Sequence, residues 1–207
     1  SKQVRQEMLD GKRPSECGYC WKAEDTGSFS DRVYKTAAHW AHPFFDEVVN
    51  KGSQENIFPS YLEVSFSNVC NFKCTYCAPH ISSQWFQEVE QHGGFPLSYK
   101  GAGYIYNGMD LLRGHDKVPI PHSQENPYVE AFWKWWPELY RHLQTFRITG
   151  GEPLLTKDTF KVLDYILDDP IPNKNLRLEV NSNLCVPDQN FDSFVSKVDK
   201  IVQDRMS

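Results

Sequence analysis

The sequence predicts an α/β fold built on a parallel sheet, with about three strand-helix units. Three short segments show the apolar alternation of strands, and each is followed by a segment with the apolar spacing of an amphipathic helix. Strands that alternate with helices form parallel sheets, because each helix carries the chain back to the start of the next strand. The loops that follow such strands meet at one edge of the sheet, which is where functional groups are expected.

The first predicted strand runs from Tyr61 to Phe66. Its polar residues, Glu63 and Ser65, alternate with an apolar face formed by Leu62, Val64 and Phe66. A helix is predicted over 81–91, where the apolar residues are Trp85, Phe86 and Val89. These two segments form the first strand-helix unit.

A further helix is predicted to begin at Asn126-Pro127, because Asn is a good cap and Pro suits the first helical position. Pro137 should kink or restart this helix. The helix carries five aromatic side chains: Phe132, Trp133, Trp135, Trp136 and Tyr140. Such a stripe is more typical of a packing surface than of a ligand site, and a docking face for a partner is the alternative.

The second and third units follow in the same pattern. A strand begins at Thr145 and ends in a glycine turn, and a helix face is formed by Phe160, Leu163, Ile166 and Leu167. The third strand carries Leu176, Leu178 and Val180, and its helix carries Phe191, Phe194, Val195, Val198 and Ile201.

Two regions lie outside this pattern. Residues 1–60 have few apolar repeats and are predicted to form an irregular amino-terminal extension. The second is an insertion at about 93–125, rich in Gly, Pro, His and polar residues, which interrupts the α/β region of residues 61–207.

Composition excludes several classes of protein. An aromatic content of 14% argues against disorder, and a net charge of -5 argues against bulk nucleic-acid binding. The sequence has no apolar stretch long enough for a membrane helix and no signal peptide at its start, so a cytoplasmic protein is expected. The six cysteines are grouped in a way that suggests metal chemistry in a reducing compartment rather than disulfides.

Three cysteines, Cys70, Cys74 and Cys77, lie within one short loop after the first strand. Three thiolates suit three irons of a [4Fe-4S] cluster and leave the fourth iron open for a substrate or cofactor. A zinc site is the alternative, although structural zinc is usually closed by four protein ligands.

A second motif follows the second strand: Gly150, Gly151, Glu152 and Pro153. Glycines allow the backbone to approach a ligand closely, and Glu152 or a strand-end carbonyl could accept a hydrogen bond from an ammonium group. Asn181 and Asn183 end the third strand at the same edge, as ligand contacts or as simple turn residues.

Together these motifs resemble the radical S-adenosylmethionine (radical SAM) enzymes. The family signature has three cysteines at these intervals with an aromatic residue, here Tyr76, before the last, and a Gly-Gly-Glu-Pro turn after the next strand. The resemblance implies a partial radical SAM (β/α) barrel, with Cys70, Cys74 and Cys77 as ligands of a [4Fe-4S] cluster. It further implies that Tyr76 packs near the adenine of S-adenosylmethionine and that Gly150 to Pro153 shape its methionine pocket.

The resemblance covers roughly residues 61–207 and only three of the six units that such barrels usually have. We therefore expect the chain to be the first half of a longer barrel. An open sheet edge should then favour self-association, and Leu178, Val180, Trp133, Trp135 and Trp136 are where exposed apolar surface is expected.

The amino-terminal extension contains a second cysteine pair, Cys17 and Cys20, within a pattern that also includes Glu24, Ser30 and Arg32. This pattern resembles the auxiliary-cluster region of radical SAM proteins with a twitch domain, a shortened relative of the SPASM domain. Two cysteines cannot close a cluster, so Cys185 or residues beyond this chain would have to contribute. Zinc bound with His39 and His42, or two idle thiols, are the alternatives.

The implied activity is reductive cleavage of S-adenosylmethionine to a 5′-deoxyadenosyl radical that abstracts hydrogen from a substrate. The first substrate expectation is a peptide or protein side chain, and a sugar or nucleotide is the alternative. An electron donor such as a flavodoxin or ferredoxin is implied as a partner. The opposing class of function is a non-catalytic zinc-binding interaction module.

Overall fold

The computed structural model describes residues 1–93, 120 and 124–204 of the chain. Most of the predicted insertion at 93–125 therefore lies outside the described residues. Within the described residues, three parallel strands form one sheet in the order β1-β2-β3. The strands are β1 (Tyr61–Ser65), β2 (Thr145–Thr149) and β3 (Arg177–Val180).

The described helices of the α/β region are α5 (Ser83–His92), α6 (Pro127–Leu139), α7 (Lys157–Asp168) and α8 (Asp188–Asp204), with a short 3₁₀ helix at Pro153–Leu155. Strands and helices thus alternate along the chain, and the prediction of a parallel α/β fold is confirmed. The strand pairs are in parallel register, with Leu62 opposite Phe146 and Phe146 opposite Leu178. A closed barrel is not seen in the described residues.

The apolar core lies on one face of the sheet. Phe146 and Ile148 of the central strand are fully buried, and so are Trp136 of α6 and Leu163 of α7. Leu178 and Val180 of β3 are half-buried and pack against this core. The sheet is held to α6 and α7 by this burial, which is the main favourable term in folding.

One expectation about α6 is corrected by the structure. Trp136 is completely buried in the core, so it does not belong to an exposed apolar surface. Trp135, its neighbour, is 39% exposed. The difference follows from the 100° turn between successive helical residues, which places adjacent side chains on different faces. Pro137 lies in the last turn of the helix, which ends two residues later at Leu139.

The opposite face of the sheet is polar. Arg147 Nε on the central strand donates a 2.6 Å hydrogen bond to Glu179 Oε2 on β3, and the Arg147 guanidinium lies 3.8 Å from Glu63 on β1. Sheets whose strands are all parallel are usually covered on both faces, so this polar face departs from the usual apolar pattern.

The amino-terminal extension is helical, whereas the sequence predicted irregular structure. It contains α1 (Lys2–Leu9), α2 (Gly18–Asp25), α3 (Asp31–Ala37) and α4 (Phe45–Asn50), with 3₁₀ helices at Ser15–Cys17 and His42–Phe44. None of these helices buries a residue completely, so no apolar period marks them in the sequence. Two of the four have side-chain caps: for α1, Ser1 accepts from Val4 N, and for α3, Ser30 accepts from Val33 N.

The extension contacts the first strand through aromatic stacking. The rings of Trp40 and Tyr61 stack with their centroids 4.7 Å apart. Among the described residues, no helix has both the length and the apolar character needed to cross a membrane.

Candidate functional site at the carboxyl edge of the sheet

Three cysteines lie on the cysteine loop, which we define as residues 66–82, between β1 and α5. Cys70 is buried, whereas Cys74 and Cys77 are partly exposed. The amide of Cys77 donates to the carbonyl of Cys74 at 3.0 Å, so the last two cysteines lie on one tight turn. The amide of Phe72 points at Cys70 Sγ at 3.4 Å. Backbone N–H groups directed at cysteine sulfur are among the features that tune iron–sulfur clusters.

The first turn of α5 anchors this loop. Ser83 Oγ accepts from the amide of Cys70 at 3.0 Å and donates to the carbonyl of Cys70 at 3.2 Å. Ser82 Oγ donates to the carbonyl of Phe72, and the Trp85 indole donates to the carbonyl of Cys74, each at 2.9 Å. Side chains of one helical turn therefore satisfy three carbonyls of the loop and hold its backbone in place.

The Cys77 thiol is close enough to the other two cysteines for their charges to affect its ionisation. Burial raises the pKa of the Cys77 thiol, and the charges of Cys74 and Cys70 raise it further. A hydrogen bond with Cys74 raises the pKa of the Tyr76 phenol, and the charges on all three cysteines act in the same direction. The mutual repulsion of three thiolates favours binding of a cationic centre among them, so the loop fits a group that carries positive metal ions.

Tyr76 lies on this loop and is 87% exposed. Phe72, on the same loop, is 41% exposed. An exposed aromatic side chain next to the cysteines is free to pack on a flat ligand. Its contact with adenine remains a prediction.

Gly150 and Gly151 pack against the cysteine loop itself. The amide of Gly151 donates to the carbonyl of Ser67 at 3.1 Å, and the amide of Glu152 donates to the carbonyl of Val69 at 2.6 Å. Gly150 has φ +119°, and a Cβ there would lie 2.6 Å from the carbonyl oxygen of Ser67. A Cβ on Gly151 would lie 2.0 Å from the carbonyl oxygen of Val69. The sequence suggested that these glycines let the backbone approach a ligand. In the structure, they let it approach the backbone of the cysteine loop.

Glu152 lies at the buried centre of the edge, with 1% of its surface exposed. Its carboxylate accepts hydrogen bonds from Ser182 Oγ and from the amide of Asn183, both at 2.7 Å. Pro153 is buried at the start of the 3₁₀ helix. Asn181 continues β3, with its amide donating to the carbonyl of Ile148 at 3.0 Å, and its side chain is exposed. The structure thus brings the predicted Gly-Gly-Glu-Pro turn and the predicted asparagines together.

The cysteine pair of the extension has a separate environment. Cys17 and Cys20 are partly exposed on and beside the start of α2. Seven residues after Cys17, Glu24 receives hydrogen bonds from Ser30 Oγ at 2.5 Å and from Arg32 at 2.6 and 3.1 Å. The Arg32 guanidinium lies 4.5 Å from the centroid of the Trp21 ring. The spaced pattern of Glu24, Ser30 and Arg32 in the sequence therefore reflects one network that fixes α2 against α3.

In the described parts of the chain, no three Cys, His, Asp or Glu side chains converge in the way that a single metal ion requires. Cys17, Cys20, His39 and His42 are thus not brought together as a zinc site. The same holds for Cys70, Cys74 and Cys77.

Sequence reasoning missed the residues that support the site. Ser82, Ser83 and Trp85 fix the cysteine loop from α5, and Asn71 connects it to Asn183. Ser82 could have been found, because a serine just before an apolar helical pattern is a cap signal. The role of Asn71 depends on a contact across 112 residues of sequence.

Comparison with known proteins gives distant relatives. A protein named GTP 3′,8-cyclase from Psychromonas ingrahamii is 32% identical over 110 residues, which are 53% of this chain and 22% of the relative. The GTP 3′,8-cyclase from Nautilia profundicola is 27% identical over 121 residues, covering 58% of this chain and 27% of the relative. That from Pasteurella multocida is 29% identical over 110 residues, covering 53% and 23%.

The matches therefore span only 22 to 27% of the length of these curated relatives. No protein-family model matches the chain, and no solved structure matches it. The chain is thus similar over about half its length to proteins named GTP 3′,8-cyclase, and its α/β fold is compatible with part of a radical SAM fold.

Proposed function

We propose that this chain carries the cluster-binding and cofactor-binding edge of a radical SAM enzyme. One observation carries the proposal: three thiols on the loop after β1 are packed directly onto the Gly150-Gly151 turn after β2. The relatives support it, because GTP 3′,8-cyclases are radical SAM enzymes. The activity of the whole protein is part of the proposal, since the matches cover a small share of the relatives.

In this proposal Cys70, Cys74 and Cys77 bind the [4Fe-4S] cluster, and Tyr76 packs near the adenine of S-adenosylmethionine. The turn formed by Gly150, Gly151, Glu152 and Pro153 borders the methionine end of the cofactor, with Asn181 and Asn183 beside it. When reduced, the cluster supplies the electron that cleaves S-adenosylmethionine to a 5′-deoxyadenosyl radical. The chain's own task is to orient the cofactor and exclude water at this edge. A flavodoxin or ferredoxin is the proposed electron donor.

The role of Cys17 and Cys20 in this proposal is to bind part of an auxiliary iron–sulfur cluster, with zinc as the alternative. The Glu24-Arg32 pair holds α2, which carries Cys20, against α3. A helix fixed in this way would hold the two cysteines in place for the further ligands that a cluster needs from another part of the protein.

Two substrate classes are proposed. A peptide side chain follows from the resemblance to twitch proteins, and a nucleotide follows from the relatives' name. A cavity of about 1070 Å³ opens beside the cysteine loop, lined among others by Asn68, Trp133 and Lys157. This volume accommodates either class, so size does not discriminate between them.

Anaerobic reconstitution with iron and sulfide tests the proposal. The wild-type chain should turn brown, bind about four irons at the primary site, and convert S-adenosylmethionine to 5′-deoxyadenosine on reduction. The variant with Cys70, Cys74 and Cys77 all changed to Ala should lose both properties.

The matched control changes Cys17 and Cys20 to Ala. It should keep the primary cluster, and its iron content should fall only if the pair binds an auxiliary cluster. A colourless chain that binds zinc, or a triple variant with unchanged iron and sulfide, would overturn the proposal in favour of a zinc module.

A further inference from the structure

The carboxylate of Glu152 is already hydrogen-bonded to groups of its own chain. Its Oε1 accepts from Ser182 Oγ at 2.7 Å and from the amide of Leu154 at 3.0 Å, and its Oε2 accepts from the amide of Asn183 at 2.7 Å. These three donors occupy three of the roughly four acceptor positions of a carboxylate. With 1% of the residue exposed, little of the carboxylate is open to a ligand.

The donors come from the β3 loop, which we define as residues 181–187. This loop has an unusual backbone, because Leu184 has φ +59°, a left-handed conformation that is uncommon for a residue with a Cβ. The conformation is held by two side chains: Ser182 Oγ accepts from the amide of Leu184 at 2.9 Å, and Asn183 Oδ1 accepts from the amide of Cys185 at 2.8 Å. A strained turn persists only where its surroundings determine it, and Glu152 binds both residues that hold it.

The β3 loop in turn contacts the cysteine loop. Asn183 Nδ2 donates to Asn71 Oδ1 at 3.0 Å, and the Asn71 side-chain amide donates to the carbonyl of Cys185. Asn71 directly follows Cys70. A continuous path of hydrogen bonds therefore runs from Glu152 through Asn183 to the residue next to the first cysteine.

We propose that Glu152 is a positioning residue, which sets the cysteine loop through Asn183 and Asn71 and does not itself contact the cofactor. The inference rests on the proposed function and departs from the prediction that Glu152 accepts the cofactor's ammonium group. Backbone carbonyls at the strand ends would accept hydrogen bonds from the ammonium group instead. The buried carboxylate joins the loops after all three strands, so its removal should disturb the cysteine loop from a distance.

The first test needs no cluster. In Glu152→Gln, which keeps the volume of the side chain, amide hydrogen exchange at Asn183 should speed up at least about tenfold, because one acceptor oxygen becomes a donor. The Asn71 side-chain amide signals should shift as well. The amide of Asn181 is the internal control, since it donates to Ile148 and not to Glu152. Unchanged exchange at Asn183, or unshifted Asn71 signals, would overturn the proposal.

The second test uses the reconstituted full chain. The dissociation constant of S-adenosylmethionine is measured from the change that it causes in the electron paramagnetic resonance spectrum of the reduced cluster. Glu152→Gln and Asn71→Ala should each raise this constant about tenfold. The double variant should bind the cofactor no more weakly than the weaker-binding single variant, because both changes break the same path of hydrogen bonds. Additive effects in the double variant would instead show that the two residues act independently and overturn the positioning role.

The outcomes separate the two proposals. If the wild-type chain binds no cluster, the proposed function fails, while the exchange test still decides whether Glu152 positions the cysteine loop. If Glu152→Gln does not fold, Asn71→Ala decides: it must weaken cofactor binding while iron content stays at the wild-type level. Unchanged affinity in Asn71→Ala overturns the proposal.

Discussion

Gly151 is the residue at which the site tolerates the least change. A methyl group there would overlap the carbonyl oxygen of Val69, 2.0 Å away, and that oxygen already accepts from the amide of Glu152. Neither backbone segment can shift without moving the cysteine loop. A substitution at Gly151 therefore strikes the loop that carries the cysteines.

Gly151→Ala should therefore reduce cluster content and stability together. Overpacking costs about 1–3 kcal/mol where neighbours can adjust, and backbone neighbours adjust least. Iron per chain after reconstitution and chemical unfolding are the measurements. Gly52→Ala is the matched control, because a Cβ at Gly52 would meet only the flexible Glu55 side chain at 3.8 Å. Equal iron content in the two variants would contradict this steric account.

Among the secondary-structure elements, α5 does most to hold the cysteine loop. Its cap residue Ser82 is completely buried, although serine is mostly an exposed residue. The Ser82 hydroxyl also donates to the carbonyl of Phe72 in the cysteine loop. The beginning of α5 and the shape of the cysteine loop are thus determined together.

Ser82→Ala should destabilise the chain by about 1–2 kcal/mol, the sum expected for a lost cap and a lost hydrogen bond to a buried carbonyl. Urea unfolding of the apo chain measures it. Ser196→Ala is the control, because Ser196 is exposed in the middle of α8 and Ala favours helix. A loss no greater than in the control would show that α5 does not depend on this cap.

The helices of the extension should respond to acid. The Arg32 hydrogen bond, followed by that of Ser30, holds the pKa of Glu24 below its ordinary range. Because the folded pKa lies below the unfolded one, this stabilisation is present above the ordinary glutamate pKa and is lost as the pH falls through the folded pKa.

Amide exchange in α3 should therefore accelerate relative to exchange in α7 as the pH is lowered from about 6 to about 3, after correction for the intrinsic rate. Glu24→Gln removes the titrating group, so its α3 exchange should be faster at pH 6 and should lack this pH dependence. Identical profiles for the wild-type chain and the variant would refute the role of Glu24.

At the scale of the whole molecule, stability depends on one apolar cluster between the sheet and α6 and α7. Trp136 is its largest completely buried side chain, and its ring lies 4.7 Å from that of Phe146 on the central strand. Within the described residues, Trp135, one residue earlier, stacks on Phe58 with a centroid distance of 6.4 Å.

Trp136→Ala should cost about 3–5 kcal/mol of unfolding free energy, since it leaves a large cavity in the core. Trp135→Ala should cost less than about 1 kcal/mol. Chemical denaturation of both variants under the same conditions measures the difference. Similar losses would mean that the two tryptophans are equally buried in solution.

The strands and the larger helices were predictable from the sequence, because their apolar residues repeat with the period of the element. Tyr61 to Phe66 and Asn126-Pro127 illustrate this: β1 is Tyr61–Ser65, and α6 begins at Pro127 with Asn126 accepting from Tyr128 N. The extension was not predictable in this way, because helices such as α3 are fixed by caps and ion pairs that leave no apolar period.

The chemistry of the edge was also visible in the sequence, since Cys70, Cys74 and Cys77 and the Gly-Gly-Glu-Pro turn are local motifs whose residue types limit what they can bind. What those residues touch was decided only by the tertiary structure. Gly151 meets Val69, and Asn183 meets Asn71, over 82 and 112 residues of chain. Close approach and buried hydrogen bonds depend on where strands and loops come to lie after folding, and no local pattern records those positions.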